Sequence, residues 1–128
     1  MDLTGEGFVV LLRVIAVVHV VYAIPFILRL VPPNRFFGFK MPSVVPDEDA
    51  WYYANRIQGI GLVITGAFVG VVSFVLPLIT IEYPRSVRVL IVVAVVIVPL
   101  AFAVSYTRRR AAERLERQKD SGQTDEEG

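Results

Sequence analysis

Three long apolar runs, separated by two polar breaks of unequal length, set the layout of this chain. They span about residues 8–31, 56–79 and 86–106. Each is on the order of 20 residues, the length at which an α-helix crosses the hydrocarbon core of a bilayer. Inside a bilayer a single segment satisfies its backbone groups by forming a helix. The pattern therefore predicts an all-α integral membrane protein, with three transmembrane helices in a small bundle over residues 1–106. The second break, Thr80–Arg85, reads as a tight turn with Pro84 as breaker and Tyr83 as an interface aromatic. The first break, residues 32–55, is much longer than a connector needs, and it holds the candidate chemistry.

That break opens on Pro32-Pro33, which cannot continue a helix. It then reads Asn34-x3-Gly38-x-Lys40-x-Pro42, and after eight residues Trp51-x3-Asn55. Gly38 stands between Phe37 and Phe39, where a sharp turn uses its conformational freedom. Pro42 and Pro46 delay the next helix. Asp47 suits an N-cap with Glu48 and Asp49 in the first turn, so the second helix starts near Glu48, still at headgroup level. Trp51, Tyr52 and Tyr53 then form an aromatic belt. Asn34 suits a turn or cap. Asn55 heads a stripe of Gly59, Gly66, Gly70 and Ser73 on the helical wheel, so it faces other helices rather than lipid. The two asparagines are expected to bond the loop backbone and fold it back under the bundle. The site candidates are Asn34, Arg35, Gly38, Lys40, Pro42, Trp51 and Asn55, with His19 inside the first span.

Polar residues within the spans are few. Arg13 lies near one end of the first span and can snorkel to the surface. His19 lies near its middle. A paired imidazole bonded within the bundle explains His19 without a ligand, and a proton-relay or ligand role is the alternative. Gly66-x3-Gly70 permits close approach of two helix backbones. Packing within the chain is the favoured reading, with homo-oligomerisation through Gly59, Gly66 and Gly70 as the alternative. The third span is rich in valine and isoleucine, lacks glycine and is expected to face lipid. Beyond it, residues 107–118 can extend the helix into water, with Glu113 and Arg117 at i,i+4. The acidic end of the 107–128 tail is expected to be disordered.

Composition and charge narrow the function. The chain is 55% hydrophobic and its mean hydropathy is +0.60, too apolar for an ordinary soluble domain of this size. A net charge of +1 gives no reason to expect a nucleic-acid partner. Without cysteine, thiolate metal sites and disulfides are excluded. His19 is the one histidine and lies far from the acids by helix rise, so no Ser/His/Asp or Cys/His set assembles. Asp47, Glu48 and Asp49 point in different directions on a helix, whereas a hard cation wants convergent oxygens. A non-enzymatic protein without a cofactor is expected. Arg108-Arg109-Arg110 after the third span, with Arg29, Arg35, Lys40 and Arg56 around the long loop, place the loop and tail in the cytoplasm and the N-terminus outside. The short turn carries only Arg85 and Arg88 on its side.

The run P-P-N-R-F-F-G-F-K-x-P, followed by D-x-x-x-W-x-x-x-N, resembles the signature of the SdpI family of small multi-spanning membrane proteins. The residues that carry the resemblance are Asn34, Gly38, Lys40, Trp51 and Asn55, and it covers roughly residues 28–106. The family's basic position is usually arginine. Lys40 lacks the bidentate fork of that side chain. The family's namesake is longer, with further spans before this unit. The resemblance implies immunity to a secreted peptide toxin, or tethering of a cytoplasmic regulator at the membrane. The other reading is a small accessory subunit or transporter-like protein with a polar path near His19.

Overall fold

The computed structural model describes residues 5–42, 44, 46–79 and 84–126. Three helices account for most of them: α1 (Gly5–Ile27), α2 (Glu48–Val75, continued by one 3₁₀ turn at Leu76–Leu78) and α3 (Arg85–Glu126). All three are long and apolar enough to cross a membrane, and no strand occurs among the described residues. Most of the short turn between the second and third helices, Tyr83 included, lies outside the described residues.

Helix α1 ends at Ile27, four residues before the apolar run does. Its terminus is a Schellman motif: the Leu30 amide donates to the Pro25 carbonyl (2.8 Å) and the Arg29 amide to Phe26 (3.3 Å). This motif needs a left-handed residue, and Arg29 supplies it with φ 58°. Glycine is the usual occupant, so the sequence carries no sign of this stop. Helix α2 begins where its acids predict. Asp47 is extended (φ −104°, ψ 113°) and its carboxylate accepts from the Ala50 amide at 3.0 Å.

Helix α2 is the centre of the bundle. Helices α1 and α3 pack on it from two sides, with no comparable contact between each other. Small residues set the spacing. A Cβ on Gly66 would lie 2.9 Å from the Ala16 carbonyl oxygen of α1, and one on Gly59 would lie 2.8 Å from Ile27 Cγ1. On the other side, a Cβ on Gly61 would meet Ala103 of α3 at 2.8 Å. The glycine face read as a possible homo-oligomer contact is therefore covered by α1 of the same chain. Ser73, fully buried at the end of this stripe, donates its hydroxyl to the Gly70 carbonyl. The outer faces of α1 and α3 remain apolar and bare, through Val14, Val17, Val18 and Val21 and through Leu90, Val98 and Phe102. These are lipid-facing surfaces, since in a bilayer such faces need no protein cover.

Among the described residues there are two cores. One, deep in the spans, gathers Phe8, Leu12, Ala16 and Val69 with Val92 and Val96 packed against them. The other sits at the loop end and joins Phe39 and Val44 of the loop, Trp51 and Ala54 of α2, and Ala111 of α3, with Leu115 packed against it. This second core explains why α3 runs past its arginines without a break. With 42 residues it spans roughly 60 Å at 1.5 Å per residue, twice a bilayer's hydrocarbon thickness. The helix reaches Glu126, so residues 121–126 of the acidic end expected to be disordered continue the helix that Ala111 and Leu115 anchor. Glu113 adds exposed ion pairs with Arg110 (3.5 Å) and Arg117 (4.0 Å), worth a few tenths of a kcal/mol each.

The close approach at Gly66 gives a test. Gly66→Ala forces α1 outward against backbone and should cost about 1–3 kcal/mol. Gly70→Ala, whose Cβ would sit at an ordinary 3.8 Å from Ala16, should be near neutral. Thermal unfolding in detergent compares them, and equal melting temperatures for the two variants would refute this packing account.

Candidate functional site

The loop between α1 and α2 is pinned at two points to one face of α2. Trp51, fully buried, donates its indole Nε1–H to the Val31 carbonyl at 3.0 Å. One turn further on, Asn55 is 2% exposed and its Oδ1 accepts from the Phe39 amide at 2.6 Å. The Asn55 amide nitrogen donates to the Trp51 carbonyl (3.0 Å) and lies 3.4 Å from the Phe39 carbonyl oxygen. The Trp51-x3-Asn55 spacing thus puts an indole and a carboxamide one above the other, the first holding the start of the loop at Val31 and the second its middle at Phe39.

Between these points the loop organises itself. Asn34 Oδ1 accepts from the Phe36 (2.9 Å) and Phe37 (2.7 Å) amides, while its nitrogen donates to the Pro32 carbonyl (2.8 Å). The turn that Asn34 closes delivers the chain to Gly38, which has φ +93°. A Cβ there would collide with Asn55 Oδ1 and lie 2.9 Å from Phe26 Cε1. Gly38 is therefore required twice, for its left-handed backbone and for the room it leaves Asn55. Lys40 Nζ donates to the Arg35 carbonyl, and both side chains are exposed. The Val44 amide donates to the Met41 carbonyl (2.8 Å), placing Pro42 in a turn, and the Asp47 amide donates to Val44 (3.2 Å) before α2 begins.

The structure brings Gly38, Trp51 and Asn55 into one buried seat, while Asn34 closes its own turn, Lys40 bonds to the Arg35 carbonyl and Pro42 stands exposed in a separate turn. It leaves His19 apart. The imidazole Nδ1 lies 2.8 Å from the Ile15 carbonyl of its own helix, a bond that puts the proton on Nδ1, and the His19 Cβ faces Gly66. His19 lines neither the cavity beneath the loop nor the one beside Asp47 and Tyr52. Among the described residues, no three His, Cys, Asp or Glu side chains are grouped to hold a metal ion.

Two further features were not singled out by the sequence. The Thr107 hydroxyl lies 3.0 Å from Gln58 Oε1, a buried contact that ties α3 to α2. It is also 2.9 Å from the Ala103 carbonyl. Under the loop lies a cavity of about 350 Å³. Its walls come from Tyr22 and Phe26 of α1, from Leu100, Val104 and Arg108 of α3, and from Lys40 of the loop. Asn55, Gln58 and Leu62 of α2 form its floor. A signal for Gln58 existed: it is an amide three residues past Asn55 in an otherwise apolar helix. Nothing distinguished Arg108 from its neighbours in the arginine triplet.

This geometry defines a three-helix membrane protein with a structured loop seated on its central helix. The family model of the SdpI/YfhL protein family matches residues 30–107, which include every residue of the loop seat from Val31 to Asn55. The chain belongs to that family. No curated protein and no solved structure matches it.

The seat is testable through the protein's one tryptophan. Asn55→Ala leaves the Phe39 amide unpaired and should cost about 1–3 kcal/mol. Gly38→Ala should cost at least about 1–2 kcal/mol from its backbone alone. Both should red-shift Trp51 emission as the loop lifts. Because both act on one hydrogen bond, the double variant should lose less than the sum of the single losses. Unshifted emission with additive losses would separate Gly38 from Asn55.

Proposed function

We propose that this SdpI/YfhL family member acts by binding rather than catalysis, tethering a cytoplasmic partner at the membrane or relaying a signal to it. The observation that carries this reading is the shared core at the loop end. Phe39, Trp51 and Ala111 pack in one cluster, with Leu115 against it, and the Arg114 guanidinium lies 4.4 Å over the Tyr53 ring. The loop, the head of α2 and the stalk of α3 therefore move as one unit. A molecule that displaces the loop also displaces the stalk. The outward surface of this unit offers Phe36 and Phe37, both well exposed, beside Arg35, and the stalk presents Arg109 and Arg110.

In this reading the N-terminus is outside and the loop and stalk are cytoplasmic. The charge distribution supports that orientation, since Arg35, Lys40, Arg56 and Arg108–Arg110 lie on the loop side. Immunity to a membrane-active peptide is the second reading. The bare apolar faces of α1 and α3 favour it, because a peptide within the bilayer meets those faces first.

The natural absence of cysteine makes orientation directly measurable. An Asp120→Cys variant should resist a membrane-impermeant maleimide in intact cells and react once the cells are opened. Labelling in intact cells would reverse the orientation and remove the tethering reading. Depolarisation by a cationic membrane-active peptide, followed with a potential-sensitive dye, then separates the two roles. Protection that survives Phe36→Ser/Phe37→Ser and truncation of the stalk favours immunity. Protection that needs both favours the relay.

A further inference from the structure

We infer that the cavity beneath the loop is a binding site for one anionic phospholipid, with its headgroup phosphate between Lys40 and Arg108 and its acyl chains in the wedge between α1 and α3. The inference is independent of the tethering reading, which uses the outward surface of the loop and stalk, and of the immunity reading, which uses the outer apolar faces of α1 and α3.

Three observations carry it. The first is charge. Two basic side chains, Lys40 and Arg108, line the cavity and no acidic residue does. Neither forms an ion pair among the described residues. Lys40 uses one ammonium donor on the Arg35 carbonyl, which leaves two for an anion. Arg108 presents the planar fork that suits phosphate oxygens.

The second observation is polarity by depth. Lys40 belongs to the loop and Arg108 to the first turn beyond the apolar part of α3, so both lie at headgroup level. Gln58 lies beneath them, its oxygen engaged by Thr107. Below that the walls turn apolar, through Leu62, Leu100 and Val104. From Arg108 to Leu100 the helix descends roughly 12 Å, enough to pass from phosphate to upper acyl chain. A free phosphate matches the mouth but not the apolar depth, and an acyl chain matches the depth but not the mouth. A single amphiphile with an anionic head fits both.

The third observation is access. Both α1 and α3 make their main contacts with α2, and Tyr22 on the α1 wall is exposed. The wedge is thus continuous with the surface that meets lipid. Basic pockets of this kind, between transmembrane helices at the membrane surface, suit anionic headgroups.

The test is native mass spectrometry of the full chain released from lipid nanodiscs. Discs of phosphatidylglycerol and phosphatidylcholine with matched acyl chains are compared. One retained phosphatidylglycerol per chain is expected, with little phosphatidylcholine. Lys40→Ala/Arg108→Ala should lower retention roughly 25-fold, about fivefold for each charge. Arg56→Ala/Arg109→Ala removes the same charge outside the cavity and should leave retention unchanged. Leu100→Trp fills the wedge without touching charge and should also expel the lipid. Circular dichroism establishes that each variant is folded, and Trp51 emission confirms it for the alanine variants, which keep Trp51 as the one tryptophan. Millimolar inorganic phosphate should not compete. Equal retention of both lipids, an equal loss in the Arg56/Arg109 control, full retention in Leu100→Trp, or displacement by phosphate would each overturn the site.

Discussion

The rest of the loop end depends on one carboxamide. Asn55 is buried in the head of α2, and its oxygen holds the Phe39 amide while its nitrogen serves carbonyls of α2 and the loop. A buried polar side chain is costly unless its partners are satisfied. Here the oxygen's partner is the Phe39 amide, 16 positions away, so the cost of burying Asn55 becomes a constraint on where the loop must lie. The constraint can be met only because Gly38 has no side chain to strike the carboxamide and can hold a positive φ. Asn55 and Gly38 are two halves of one device. Trp51 supplies the second attachment, one helical turn earlier.

Seating the loop creates a surface that the three spans alone do not have. Phe39 and Val44 cover Trp51, and the combined apolar patch captures Ala111 and Leu115 of α3. A helix that could have frayed at its arginine triplet is instead held against the bundle. The same seating roofs the wedge where α1 and α3 diverge, so the cavity and the stalk share one origin. On the outside, the loop turns Phe36 and Phe37 away from the protein.

Much of this was legible in the sequence, for identifiable reasons. The spans follow from apolar length, which the bilayer makes an unusually direct signal. The start of α2 follows from Asp47 and its two acidic followers, because capping is a local interaction. Features that depend on distant partners were hidden. Nothing near Arg29 announces a left-handed residue, and α1 ends there through a backbone motif that usually uses glycine. Nothing near Gln58 names Thr107, which is 49 residues away. Arg108 looked like a topology marker because its neighbours are also arginines, and only the packing of α3 on α2 turns it toward the cavity.

The sequence by itself determined that the chain is a three-helix membrane protein, where its polar loop lies and which family it belongs to. Hydropathy, capping and motif spacing are local properties, and they survive without knowledge of the fold. The tertiary structure decided what the motif residues do. It made Asn55 and Trp51 anchors, Gly38 a clearance, and Asn34 the closure of its own turn. It turned the glycine stripe toward α1 and left His19 bonded to its own helix. Those roles arise from contacts between segments, and contacts between segments are set only when the helices choose their faces.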